Sequence, residues 1–320
     1  MSAKAVWIRG CIVCLMLLQY QAIGLDGLSA EDQTVIGEQS SIIRVSSNLV
    51  TVPVSVTDSA GCAIGDLGIQ DFLIKEDDRL EIVSRMAEAG RSPLRLALLL
   101  DLSGSVNSRF EFEQQAAFRF LQKVWRPGDT VSIVTFTDYA RVRLQASGSL
   151  SDAYQVLSSL EPTEKPTAFF DAVVLSARIL RQSAGQEARQ AVVVLTDGED
   201  NRSKHSLSDA LGEIQRADTS FYSINPGGPS IRLNEISMKA QSDMALLAKE
   251  TGGDAFVSDS TRDLDGIFYK VATDLSAQYL LSYYSANSRI DGKYRRISVS
   301  IPNRSDLRIR TRNGYYATPK

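Results

Sequence analysis

The chain has 320 residues, 43% hydrophobic and 23% charged, with a formal net charge of −3. That length can bury a sizeable core in more than one domain, and the composition excludes wholesale disorder. The mild acidity argues against nucleic acid as the main partner, because neutralising phosphates requires a basic face.

Residues 1–24 read as a secretory signal peptide. Lys4 and Arg9 make a basic start and Cys11 to Leu18 an apolar core. Ala22-Ile23-Gly24 then puts small residues at the two positions a signal peptidase reads. Gln19, Tyr20 and Gln21 interrupt the apolar run, which is too short to span a bilayer. The expectation is an exported protein, periplasmic or extracellular, without a membrane span after cleavage. Cys62 would then be its one cysteine, so no internal disulfide forms and stability rests on the core.

Residues 25–44 are polar and aperiodic, and read as a flexible arm. Residues 45–92 read as a small β-rich, sandwich-like module. Val50, Val52, Val54 and Val56 alternate with polar neighbours, the pattern of a half-buried strand, and Pro53 suggests an edge position. Phe72-Leu73-Ile74 and Leu80-Glu81-Ile82 read as two further strands around an Asp77-Asp78 turn.

Ser92-Pro93 marks a boundary, and across 93–274 strands and helices alternate. Leu96 to Leu100 and Ala191 to Leu195 are continuous apolar runs, as in parallel strands buried on both faces. Ala140 to Leu144 reads as an antiparallel edge, and Thr251-Gly252-Gly253 ends a helix. The expected fold is α/β, a doubly wound, mostly parallel sheet of Rossmann-like form. Residues 275–320 return to β pattern as a hairpin or meander that can pack on 45–92.

The first apolar run ends in Asp101-Leu102-Ser103-Gly104-Ser105 and the second in Thr196-Asp197-Gly198. Both aspartates fall at the carboxyl tips of strands, where open α/β sheets bind ligands. Pro166-Thr167 precedes a helical pattern and adds a third loop. One carboxylate and two hydroxyls in a tight loop are hard oxygen donors suited to Mg²⁺ or Mn²⁺. Helix capping by Asp101, Ser103 and Ser105 accounts for that loop alone and leaves Thr167 and Asp197 unexplained.

The trio of D-x-S-x-S, threonine and D-G resembles the metal-ion-dependent adhesion site of von Willebrand factor A-type domains. Carried over by position, the resemblance implies metal ligands Asp101, Ser103, Ser105, Thr167 and Asp197, with Pro166 where the family has glycine. The flanking segments Val54 to Asp58, Gln278 to Tyr284 and Asn313 to Tyr316 resemble the VWFA-related proteins of acidobacteria. Membership implies export and a binding role and supplies no partner. A first shell rich in hydroxyls leaves Mg²⁺ or Mn²⁺ under-neutralised, so the expectation is an adhesion-type module that accepts a carboxylate from a protein partner.

Enzyme readings find little support. His205, the one histidine, lies in a polar stretch and reads as a surface residue, and no Gly-x-Ser-x-Gly elbow accompanies it. Glu199, Asp200 and Asn201 either tune the metal or form a solvated loop, and Asp171 either orients the Thr167 loop or favours the helix start. Two alternatives stand beside the binding module. One is a metal-dependent hydrolase, which lacks a general base. The other is a structural envelope component whose metal only stabilises.

Overall fold

The computed structural model describes residues 49–88, 92–104, 109–183, 188–226, 235–258 and 263–318. The segments read as a leader and an arm, and Ser105, lie outside the described residues.

A six-stranded sheet forms the centre. Its strands are β5 (Leu94–Asp101), β6 (Thr130–Phe136), β7 (Ala140–Ser147), β8 (Arg189–Leu195), β9 (Ser220–Asn225) and β10 (Asp254–Val257). They lie in the order β10-β9-β8-β5-β6-β7, all neighbours parallel except β6 and β7. The antiparallel edge read from Ala140 onward is thus present. Strand β5 shows why a continuous apolar run was required. Leu94, Leu96, Leu98 and Leu100 face one core, with Phe120 and Phe268, while Ala97 and Leu99 face another, with Phe169 and Leu247.

Six helices cover the two faces: α1 (Phe110–Val124), α2 (Leu150–Ser158), α3 (Phe169–Ser183), α4 (Leu207–Arg216), α5 (Glu235–Thr251) and α6 (Leu264–Ala277). Helices α1 and α6 supply the first core, and α3, α4 and α5 the second. The fold is a doubly wound α/β sheet. The chain runs from β5 outward to β6 and returns to β8 on the other side, so the crevice opens between the carboxyl ends of β5 and β8.

The flanking segments supply eight more strands. Those before the central sheet are β1 (Leu49–Thr57), β2 (Leu73–Glu76), β3 (Arg79–Glu81) and β4 (Val83–Glu88). Those after it are β11 (Tyr279–Tyr284), β12 (Tyr294–Ser300), β13 (Arg308–Thr311) and β14 (Gly314–Tyr316). They interleave into two sheets, β13-β1-β11-β4 and β14-β12-β2-β3. Val50, Val52, Val54 and Val56 meet Ile74, Leu281, Tyr283 and Ile297 in one core between them. Pro53 corrects one expectation, because β1 is an internal strand. Pairing with β13 starts only at Val54, so Pro53 is the last residue that β13 leaves open on that side.

Both crossings between the central domain and this sandwich lie at the amino ends of the parallel strands. Buried Arg189 holds them together, its guanidinium donating to the carbonyls of Ser92 and Leu275. Burial pulls its pKa down to about 10. Nearby, Arg310 of β13 pairs with Asp274 at 2.8 Å, and Tyr222 donates to the same carboxylate at 2.5 Å. Gly252 has φ +80°, and a Cβ there would lie 2.6 Å from the carbonyl carbon of Thr311. Only glycine lets α5 end so close to β13.

Candidate metal centre

The site starts from Asp101, the last residue of β5 and 1% exposed. One carboxylate oxygen accepts from the Ser103 N–H at 2.9 Å, the other from the Thr196 hydroxyl at 2.7 Å. Burial pushes its pKa up to about 6, against these hydrogen bonds, and the charge of Asp197 adds to the rise. The Ser103 hydroxyl also bonds this carboxylate, yet its pKa stays raised, so these donors under-compensate the buried charge, a condition that a bound cation relieves.

Asp197 follows β8 on the other side of the crevice. Its carboxylate accepts from the Glu199 N–H at 3.2 Å, and its carbonyl from Asn225 Nδ2 at 3.2 Å. Gly198 has φ +79°, and a Cβ there would lie 2.5 Å from the Met244 methyl, so the turn requires glycine. Ser103 and Thr167 are 2% and 5% exposed, so both hydroxyls are withdrawn from bulk water.

The Thr167 loop is tied to both strand tips. Thr163 donates its N–H and hydroxyl to the Leu102 carbonyl at 2.8 and 2.9 Å, and the Ala168 N–H reaches the Thr137 carbonyl at 2.6 Å. On the other side, Asn201 Oδ1 accepts from the Thr167 N–H at 2.9 Å, and the Thr167 carbonyl accepts from the N–H groups of Asn201 and Arg202. Exposed Pro166 is held between these ties. Asp101, Ser103, Thr167 and Asp197 therefore stand on three fastened loops at one sheet edge. Ser105 lies outside the described residues.

Asp200, Asn201, Asp171 and His205 are engaged in loop architecture. Asp200 Oδ2 caps α3 through the Phe170 N–H at 2.9 Å. Asp171 accepts from the N–H groups of Lys204 and His205, both at 3.0 Å, and from the His205 ring at 2.7 Å. Against the upward push of burial, these bonds hold the Asp171 carboxyl below the usual range. His205 is thus a half-buried clamp rather than a plain surface residue.

Two contributors, Thr196 and Glu113, escaped the sequence reading, and Asn201 was read there without its bond to Thr167. Thr196 sits one position before Asp197 with its hydroxyl on Asp101. Asn201 joins two of the loops. Glu113 is 1% exposed on α1 and pairs with Arg109 Nε at 2.8 Å. Burial pushes Glu113 up to about 8 against the pull of Arg109, and the charges of Asp101 and Asp197 add to the rise. Its signal was available, since Glu113 falls three residues after Phe110 on an apolar helix face.

Among the described residues no three His, Cys, Asp or Glu side chains gather as metal ligands. The edge offers a mixed carboxylate and hydroxyl set instead, all oxygen, which fits a hard divalent cation better than a soft one.

An open α/β domain with oxygen donors at its switch point is the class that fold and site define. Residues 96–199 match the sequence model of the von Willebrand factor type A domain. A search of curated proteins finds no match. Among solved structures, the conserved hypothetical protein BatB of Bacteroides thetaiotaomicron aligns at 16% identity and TM-score 0.48, over 57% of this chain and 100% of that one. Proximal thread matrix protein 1 from the mussel byssus, solved with a zinc-occupied metal-ion-dependent adhesion motif, aligns at 18% identity and TM-score 0.49. That match covers 62% of this chain and 49% of the mussel chain. A von Willebrand factor type A protein from Catenulispora acidiphila aligns at 14% identity and TM-score 0.48, over 73% of this chain and 51% of that one. Among the described residues no helix is long and apolar enough to cross a membrane.

Proposed function

We propose that this protein is an exported, divalent-metal-dependent binding module of adhesion type. Asp101, Ser103, Thr167 and Asp197 would hold Mg²⁺ or Mn²⁺, with Ser105 as the fifth donor. The observation that carries the reading is the buried Asp101 carboxylate beside two buried hydroxyls at the switch point. Neutral hydroxyls leave a bound cation only partly neutralised, so it attracts a carboxylate from a protein partner at a remaining position. The chain's own groups do the positioning. Thr196 and the Ser103 N–H orient Asp101, and Asn201 and Thr163 hold Thr167 against the crevice.

A binding role is favoured over hydrolysis because His205 is engaged by Asp171 and no other histidine exists to serve as base. The leader pattern of residues 1–24 supports export. Calorimetric titration of Mg²⁺ into wild type and Asp101→Ala tests the site. Binding in wild type and its loss in the variant, with an unchanged circular dichroism spectrum, is the expected result. Equal affinity in both would remove the assignment. A phosphatase screen with and without EDTA tests the hydrolase alternative, and metal-dependent turnover would favour it.

A further inference from the structure

At the amino ends of the parallel strands, away from the proposed metal site, three strand edges converge on one cavity of about 510 Å³. Its walls come from β10 (Asp254, Ala255), β12 (Ile297 to Val299) and β13 (Ile309 to Thr311), with the end of α5 above them. Strand β10 is the edge of the central sheet and β13 the edge of its own sheet. Strand β12 pairs with β14 only over 294–296, and with β2 on its other side over 297–300. Among the described residues no strand pairs with β13 on its outer side, nor with 298–300 of β12 on the side away from β2.

The register fixes what faces the gap. Ile297 donates its N–H to the Asn313 carbonyl at 2.8 Å, away from β2. Antiparallel alternation turns the Val299 N–H and C=O the same way, into the cavity. The side chains of Ile297, Val299 and Ile309 belong to the sandwich core and form an apolar wall there. Charge completes the description. Arg310 and Asp254 pair with each other, which leaves Lys249, exposed and without an ion partner among the described residues. In the adjoining hollow Asp78 and Arg296 pair, while Lys75 and Glu250 cancel in number.

We propose that this seam binds an extended segment of a partner protein by strand addition. The partner's backbone pairs with Val299, alternate apolar side chains pack on Ile297, Val299 and Ile309, and one acidic side chain meets Lys249. A helix or a compact loop leaves the Val299 edge unpaired, and a basic segment meets Lys249 with like charge. The site is separate from the proposed metal centre and does not depend on it.

The test is a displayed library of random heptapeptides, selected on wild type and subtracted on Ala245→Trp, which plugs the cavity from the exposed face of α5. Circular dichroism first establishes that each variant is folded. The expected survivors alternate apolar and polar residues with an acidic residue on the polar side, and bind equally in EDTA. They slow hydrogen exchange at the Val299 amide. Val299→Pro removes the donor that points into the cavity and weakens them about fivefold, the worth of one hydrogen bond. Lys249→Glu reverses the preference from acidic to basic. The proposal is overturned if no peptide separates wild type from Ala245→Trp, or if selected peptides ignore both the Val299 and Lys249 changes. It is also overturned if wild type forms a dimer that Ala245→Trp abolishes, because the occupant is then a second copy.

Discussion

Replacing Asp101 by asparagine should stabilise the metal-free protein above pH 6 while removing its response to Mg²⁺. The carboxyl has an ordinary value of 3.8 and stands at about 6 in the folded chain. Between these values the folded state binds more protons than the unfolded one, so stability falls as pH rises through that window. The shift of about two pKa units corresponds to ~3 kcal/mol, present as a cost at every pH above 6. Asparagine carries no charge and escapes that cost. Its Oδ1 can keep the Ser103 bond, and its amide can donate to the Thr196 hydroxyl, which still accepts from the Gly198 N–H. In EDTA at pH 7.5 the variant should melt about 5 °C above wild type, given a few degrees per kcal/mol for a chain of this size. At pH 4 the difference should vanish. Adding Mg²⁺ should raise the wild-type melting temperature and leave the variant unmoved, because a ligand stabilises only the state it binds. Scanning calorimetry over pH 4–8, with EDTA or Mg²⁺, reads all of this. A variant less stable than wild type in EDTA at pH 7.5, or one that gains as much from Mg²⁺, would refute the reasoning.

Exported protein should begin at Leu25 or within a few residues, which N-terminal sequencing reads, and an intact Met1 on membrane-bound material would make it an anchored protein. Thr167→Ala should weaken Mg²⁺ binding strongly while His205→Ala does little, measured by the same titration, and the reverse order would move the site. Arg189→Ala leaves the carbonyls of Ser92 and Leu275 without their buried donor, and should cost about 2–5 kcal/mol in urea unfolding. A loss below about 1 kcal/mol would mean that water replaces the guanidinium.

Much of the central domain was legible because burial on both faces leaves an unmistakable run. Leu96 to Leu100 and Ala191 to Leu195 cannot be half-exposed strands, and a polar residue ending such a run must sit at a sheet edge. The sequence alone therefore puts Asp101 and Asp197 at strand tips. What escaped depends on contacts across long stretches of chain. Pro53 reads as an edge residue until β13, some 250 residues later, is seen to stop at Val54. His205 reads as exposed until Asp171, 34 residues away in sequence, is found bonded to its Nδ1. Asn201 carries no local mark of its bond to Thr167. Glu113 differs, since a carboxylate on an apolar helix face is visible in the sequence and marks a strained position.

The interleaved sandwich bears on how the candidate metal site is presented. Strand β5 enters from the sandwich and points its carboxyl end away from it. Helix α6 runs back to the same end before β11 begins. Because both crossings are held by Arg189, and β13 by Asp274 through Arg310, the sandwich is anchored at the amino ends of the strands. The crevice between β5 and β8 opens at the other end. A partner bound there would meet the loops of Asp101, Thr167 and Asp197 without obstruction from β1, β11 or β13. A change at the anchoring end, such as the loss of Arg189, should lower stability first and reach metal affinity only through unfolding. Arg189→Ala should therefore lower the melting temperature and leave Mg²⁺ affinity unchanged, whereas Asp101→Asn should raise the metal-free melting temperature and abolish Mg²⁺ affinity.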